Sequence, residues 1–339
     1  MQLKRTELIA ALEEVKPGLA TKDIIAQSTS FVFGYDIITT FNDEISVMKP
    51  FKTEIMGAVR ANELYSLLSK IKDEEIEIGI IENELIVKGK RSKAGIKLEA
   101  EIMFPLDEVD IEHTKFTKLP DNFLKAISIA SYCAAKDLSK PLLTCAYIDG
   151  DVVTASDDFR IIQVNFDAEV KSEPILLPAS VVKFLVKYDV KRLSHSPGWI
   201  HFHANACPGF LDGLIFSARV LAGKFPEVEQ FLEVKGKELH FPAGVLEMLD
   251  RAGVFTADSA SGDFVSVIVE DRTMIIKGKG DYGWLEETAN CKYKGEKIEF
   301  DVDPSFLIDI LKNLRKCIVG NGALLFEGDN FRHVVALVG

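Results

Sequence analysis

Three groups of residues in this chain have types and spacings that chemistry could use. Gly278, Gly280 and Gly283 spell GxGxxG, the string that cradles a pyrophosphate when it joins a strand to the N-terminus of a helix. Here the string falls in a hairpin turn and runs into WLEET and a further strand. The helix amides that would hold a phosphate are missing from the pattern, so nucleotide binding is not expected. His201 and His203 alternate along one strand, with His195 and Cys207 nearby. Two imidazoles at i and i+2 can share a metal ion, which makes a metal-dependent hydrolase using His201 and His203 the alternative reading, but no well-spaced third and fourth ligand follows. Asp157 and Asp158 are adjacent carboxylates in a turn, where Asp serves turn geometry far more often than acid–base chemistry. No Ser-His-Asp or Cys-His set stands out. The chain is therefore read as a non-enzyme that needs no cofactor and no metal.

The elements that carry these residues recur three times, which decides the architecture. Each third opens with a short strand and an amphipathic helix: Leu3 to Val15, Lys118 to Ala134 and Leu239 to Val254. Leu8, Ile9, Leu12 and Val15 fall at helical spacing, as do Phe123, Leu124, Ile127 and Ala130, so one face of each helix is apolar. Hairpins follow, from Phe31 to Val47, Ala146 to Val164 and Phe264 to Leu285, with β-branched alternation around Gly, Asp and Asn. A strand then runs into a second helix near Gly57, Ile175 and Glu299, and further strands close each unit. The pattern predicts an α+β protein of three repeated domains, each with two helices packed on antiparallel sheet, spanning residues 1–112, 113–234 and 235–339.

Composition narrows the setting. Apolar residues make up 47% and charged residues 27% of the 339 residues, an ordinary balance for a globular protein. No apolar run approaches the roughly 18 residues that a membrane span needs. Glu7, Glu13 and Glu14 are wrong for a transit peptide and no signal-type stretch follows, so a cytoplasmic protein is expected. The five cysteines Cys133, Cys145, Cys207, Cys291 and Cys317 form no CxxC pair, which argues against a zinc ribbon and a disulfide framework. A net charge of −12 counts against nucleic acid as a partner unless the cations are gathered on one face. Many are gathered: lysines and arginines lie on or beside the six helices, while strands and turns hold much of the acid.

At the level of short strings the chain resembles the bacterial DNA polymerase III beta subunit family, the DNA sliding clamps. Asp157, Arg160 and Ile161 within TASDDFRIIQV resemble the family's T-D-x-x-R-L turn, ILLPASVVKFL from Ile175 resembles the strand, Pro and helix that follow, and the run Gly223-Lys224-Phe225-Pro226 is the most family-specific string. The resemblance implies the DNA clamp fold and a ring of two copies joined head to tail, a homodimer that encircles double-stranded DNA after a clamp loader opens it. It also implies a hydrophobic cleft between domains 2 and 3 that tethers DNA polymerase and other proteins carrying clamp-binding motifs. Carried over to this sequence, the cleft would use Ser156, Asp158, Phe159, Arg160, Ile161, Pro226, Gln230, Phe231, Ala336, Leu337 and Val338. The ring contact would place Phe104 of one copy near Val254 and Phe255 of the other. Lys22, Lys136, Lys140 and Lys191, near helix ends, are the expected DNA contacts. Two departures matter: Asp158-Phe159 stands where the family has Gly-His, and the chain ends VVALVG. They suggest a divergent member of the phage or mobile-element kind, and leave a clamp-like decoy that binds partners without encircling DNA as an alternative.

Overall fold

The computed structural model describes residues 1–338 except 35, 104, 106–108, 110–114, 205–212, 258–262 and 294. Six helices are present among them: α1 Arg5–Val15, α2 Ala61–Lys70, α3 Phe123–Ser131, α4 Ala179–Leu185, α5 Val245–Thr256 and α6 Pro304–Leu311. The strands come in one order three times. A short strand precedes the first helix, three strands follow it, a fourth leads into the second helix, and three more close the segment.

Local chemistry accounts for the helix starts and stops. α1 buries Leu8, Ala11, Leu12 and Val15, one stripe at a spacing of three and four. α6 starts at Pro304, whose missing N–H costs nothing at that position, and the Asp303 carboxylate caps it by accepting from Ser305 N at 2.8 Å. α5 starts from Gly244 at φ 83°, a conformation that a Cβ would strain. α3 ends three residues short of the expected Ala134, because Cys133 N turns to Ala130 O at 3.0 Å, a tighter i to i+3 bond that closes the last turn.

The chain divides into two compact units, Met1–Ser128 with Tyr147–Asp151 and Phe166–Gly223, and Ile129–Ala146 with Val152–Asn165 and Lys224–Gly339. In the first, twelve strands form one sheet, in which Ile45–Pro50 pairs antiparallel with Ile215–Arg219 and so joins the strands of the first repeat to those of the second. Trp199, Phe41, Val32 and Ile215 pack in one of its clusters, with the Trp199 and Phe41 rings 5.9 Å apart. In the second unit, Gly283–Asn290, Thr273–Gly280, Val265–Glu270 and Ile298–Val302 form a four-stranded sheet in that order. A separate run there joins Val152–Ser156, Arg160–Asn165, Phe331–Ala336, Ala323–Glu327, Lys316–Gly320 and Gly236–His240. Its core gathers Leu249 and Ala252 of α5, Leu307 and Leu311 of α6, and Val267, Ile276 and Phe326 of the strands.

Candidate functional site

The site grows from a single turn in the second unit. Strands Val152–Ser156 and Arg160–Asn165 pair antiparallel with Ser156 opposite Ile161, leaving Asp157, Asp158 and Phe159 to reverse the chain. The Asp157 carboxylate accepts from Phe159 N at 2.8 Å and Arg160 N at 2.7 Å, the self-bonded turn that Asp favours. Its other oxygen accepts from both Arg160 Nε at 3.0 Å and Nη2 at 2.8 Å, a charge-assisted pair with little exposure. So fixed, the Arg160 guanidinium lies 4.0 Å over the Phe306 ring, and Phe306 in turn lies 6.3 Å from Phe159. Ala336 N donates to Phe159 O at 2.7 Å, which ties the last strand to the turn. Lys140 Nζ pairs with Asp158 at the rim.

These contacts enclose a cleft of about 300 Å³. Its floor is Ile161 and Val334, register partners across the strand pair, over a small cluster with Leu232 and Leu325. Phe159 is 46% exposed and Phe231 55% exposed at its wall. Two phenyl rings left half in water over an apolar floor are what a short peptide's apolar side chains can cover.

Seven of the eleven expected cleft residues line this space: Ser156, Asp158, Phe159, Arg160, Ile161, Phe231 and Ala336. The other four do not. Pro226 and Gln230 are exposed on the segment before and within the short helical turn Glu229–Phe231, which presents Val228 and Phe231 instead. Leu337 and Val338 are drawn elsewhere, since Leu337 N donates to Gly322 O and Val338 N to Asp301 O, each at 2.9 Å, and both line a separate groove beside Ile298–Val302. Val228, Gly322, Ala323, Val334 and the neighbouring Phe306 were missed. They come from four segments, and tertiary contacts, strand register for Val334 and the Arg160 guanidinium for Phe306 among them, bring them to the turn.

The expected DNA contacts differ among themselves. Lys22 and Lys136 are exposed, whereas Lys191 pairs with Asp189 at 2.5 Å and Lys140 is held by Asp158. Lys140 thus belongs to the cleft rim. Phe104 lies outside the described residues. Val254 is 72% exposed on α5, so it is no core residue, while Phe255 is half-buried with its ring against Gly283.

The residues that suggested chemistry are structural. His201 is buried with Nε2 2.9 Å from Ser196 Oγ and Nδ1 2.9 Å from Ser217 Oγ, so both nitrogens are engaged. Burial lowers its pKa to about 4, keeping the ring neutral. His203 is buried with its ring edge-on to Phe116 at 5.5 Å, and Cys207 lies outside the described residues. Among the described residues no three His, Cys, Asp or Glu stand close enough to hold a metal. The glycine string sits in the Thr273–Gly280 and Gly283–Asn290 hairpin, and a Cβ on Gly278 would lie 2.2 Å from Ala252 O of α5. Close helix approach explains that glycine. Cys133 Sγ does approach His333 Nε2 at 3.3 Å. Burial pushes the thiol up to about 12 and the imidazole down to about 4, so the pair is neutral and lacks the thiolate a nucleophile needs.

No family model matches the chain. Over 261 residues, covering 72% of this chain and 68% of the relative, it is 21% identical to the beta sliding clamp of Haemophilus influenzae. The beta subunit of the DNA polymerase of Streptococcus pyogenes superimposes with a TM-score of 0.85 at 20% identity, over 99% of both chains. The DNA polymerase III subunit beta of Pseudomonas aeruginosa does so with a TM-score of 0.84 at 18% identity, over 100% of this chain and 99% of that one. These likenesses support the resemblance read from the short strings, and the chain has the fold of the DNA polymerase III beta subunits, the sliding clamps.

Proposed function

We propose that the chain is a DNA sliding clamp, a non-enzymatic ring of two head-to-tail copies with domains 1–112, 113–234 and 235–339, acting in the cytoplasm. One rule of strand pairing carries this reading. In two places the third strand after a repeat's first helix pairs antiparallel with the last strand of the next repeat. Ile45–Pro50 takes Ile215–Arg219, and Arg160–Asn165 takes Phe331–Ala336. The third such strand, Gly283–Asn290, is paired on one side only among the described residues, and the first repeat ends in Lys93–Glu99. Applying the rule once more requires a second copy, whose first repeat supplies that strand. Within its own copy Lys93–Glu99 pairs over residues 93–97 with Glu84–Lys88 on one side and at Leu98 and Glu99 with Gly57–Arg60 on the other, so the partner strand would take the remaining edge at residues 93–97; the contact is heterologous and closes after two copies. Val254 of α5, which packs on the Thr273–Gly280 and Gly283–Asn290 strands, belongs to the same border.

Within such a ring the lysines beside the helices would face a duplex, holding phosphates without reading bases and so allowing the ring to slide. Lys22 and Lys136 are the foremost contacts, because neither has an acidic partner within 4.0 Å among the described residues. The cleft at Phe159 and Phe231 would tether a DNA polymerase, a clamp loader and other proteins with clamp-binding motifs. Retention on DNA tests the encircling function. Loaded onto nicked circular DNA, the protein should co-elute with it through gel filtration and be lost on linearisation. Loss at the same rate from circles and linear molecules would rule out encirclement and favour a decoy that only binds partners.

A further inference from the structure

We propose that a cavity between α3 and α6 is a binding site for a small phenol, which takes the place that a tyrosine side chain holds at the equivalent junction one repeat earlier. The site stands apart from both the peptide cleft and the DNA-holding function. Its volume is about 300 Å³, at the lower end of what small-molecule sites offer. Ile129 of α3, Ile162 of the neighbouring strand, Ile310 of α6, Leu314 and Phe331 give it apolar walls, and the neutral Cys133 and His333 pair lies beside them.

Three correspondences between the repeats identify the guest. α1 buries Leu8, Ala11, Leu12 and Val15 where α3 buries Phe123, Ala126, Ile127 and Ala130, which makes Ile129 the counterpart of Glu14. α4 and α6 follow Pro178 and Asp303, and both close with the same bond, Tyr188 N to Leu185 O and Asn313 N to Ile310 O, each at 3.0 Å. Asn313 is therefore the counterpart of Tyr188. Phe216 stands opposite Val47 and His333 opposite Ile162 in strand pairs that hold the same place, so His333 is the counterpart of Phe216.

At the earlier junction Tyr188 reaches from α4 to α1. Its ring lies 5.4 Å from that of Phe216, and its hydroxyl donates to Glu14 O. At the later junction Asn313 has neither the ring nor the reach, and the three counterparts Ile129, Asn313 and His333 all border the cavity. Ile129 O takes only a long bond from Tyr132 N, 3.4 Å, so its capacity to accept is largely unused. A phenol supplies both missing parts, a ring to lie against the imidazole and a hydroxyl to donate to that carbonyl. An anion would find no spare cation, because Arg160 is paired with Asp157 and Lys312 with Asp309.

Fluorine NMR titration of the full chain with 4-fluorophenol and with fluorobenzene tests the site. 4-Fluorophenol should bind with a dissociation constant of about 1 mM. Fluorobenzene, which lacks the donor, should bind about fivefold more weakly. Asn313→Tyr restores the crossing ring of the earlier junction, so it should weaken 4-fluorophenol binding about tenfold and raise the urea midpoint. Leu314→Trp, which fills the cavity from a half-buried wall position, should weaken binding likewise and keeps the test open should Asn313→Tyr fail to fold. No binding of 4-fluorophenol, equal affinity for the two probes, or parental affinity in a folded cavity-filling variant would overturn the proposal. So would loss of binding in Phe231→Ala, which would place the phenol in the peptide cleft.

Discussion

Replacing Phe231 by Ala should abolish most of the affinity for clamp-binding peptides while leaving the fold intact. Phe231 ends the short helical turn Glu229–Phe231 and is 55% exposed at the cleft wall. A phenylalanine side chain can bury 150–250 Å², so a peptide that covers the free half removes roughly 100 Å² from water. At about 25 cal/mol per Å² that is about 2.5 kcal/mol, or roughly 70-fold in the dissociation constant. The folded chain gains little from a ring this exposed, and unfolding should shift by less than about 1 kcal/mol. Fluorescence anisotropy with a labelled clamp-binding peptide gives the affinity, urea unfolding gives the stability, and sedimentation gives the mass. A variant that binds the peptide within twofold of the parent would refute the assignment of this cleft. Equal losses in affinity and stability would refute the claim that the ring serves a partner and not the core.

Other expectations follow from particular contacts. Lys136→Glu should weaken duplex binding and flatten its salt dependence, whereas Lys140→Glu should chiefly weaken peptide binding, because Lys140 is held by Asp158 at the cleft rim; the two titrations run side by side decide it. His201 and His333 are each depressed to about 4 from an ordinary 6.5. The unfolded chain binds more protons between those values, so stability is fully present above about pH 6.5 and falls as pH drops toward 4, by up to about 1.4 kcal/mol per pH unit for each ring. Urea midpoints across that range should show the loss, and His201→Gln should shrink it; a flat profile would contradict the buried neutral rings. Gly278→Ala should destabilise the chain by about 1–3 kcal/mol, since its Cβ would meet the Ala252 backbone of α5 at 2.2 Å, and an unchanged urea midpoint would count against that close approach.

The helices and hairpins were legible because each reports on itself. Leu8, Leu12 and Val15 mark a face by spacing alone, and Pro304 after Asp303 marks a helix start. The turn at Asp157 was legible for the same reason, since its carboxylate bonds to its own backbone neighbours. The far wall of the cleft was not. Val334 meets Ile161 through strand register between segments 173 residues apart, and Phe306 reaches the site only because Asp157 aims Arg160 over its ring. Lys140 looked like a free cation until the turn brought Asp158 to it. Leu337 and Val338 looked like cleft residues until their amides were drawn to Gly322 and Asp301.

The head-to-tail pairing of Gly283–Asn290 with Lys93–Glu99 is the claim on which the ring and its hold on a duplex depend together, and the mass in solution tests it most directly. Sedimentation equilibrium should return twice 37.6 kDa for the parent, and a monomer for a chain whose edge strand carries Trp284→Asp with Thr288→Pro, both on its exposed face. A parent that stays monomeric at high concentration, or an edge variant that remains a dimer, would contradict it.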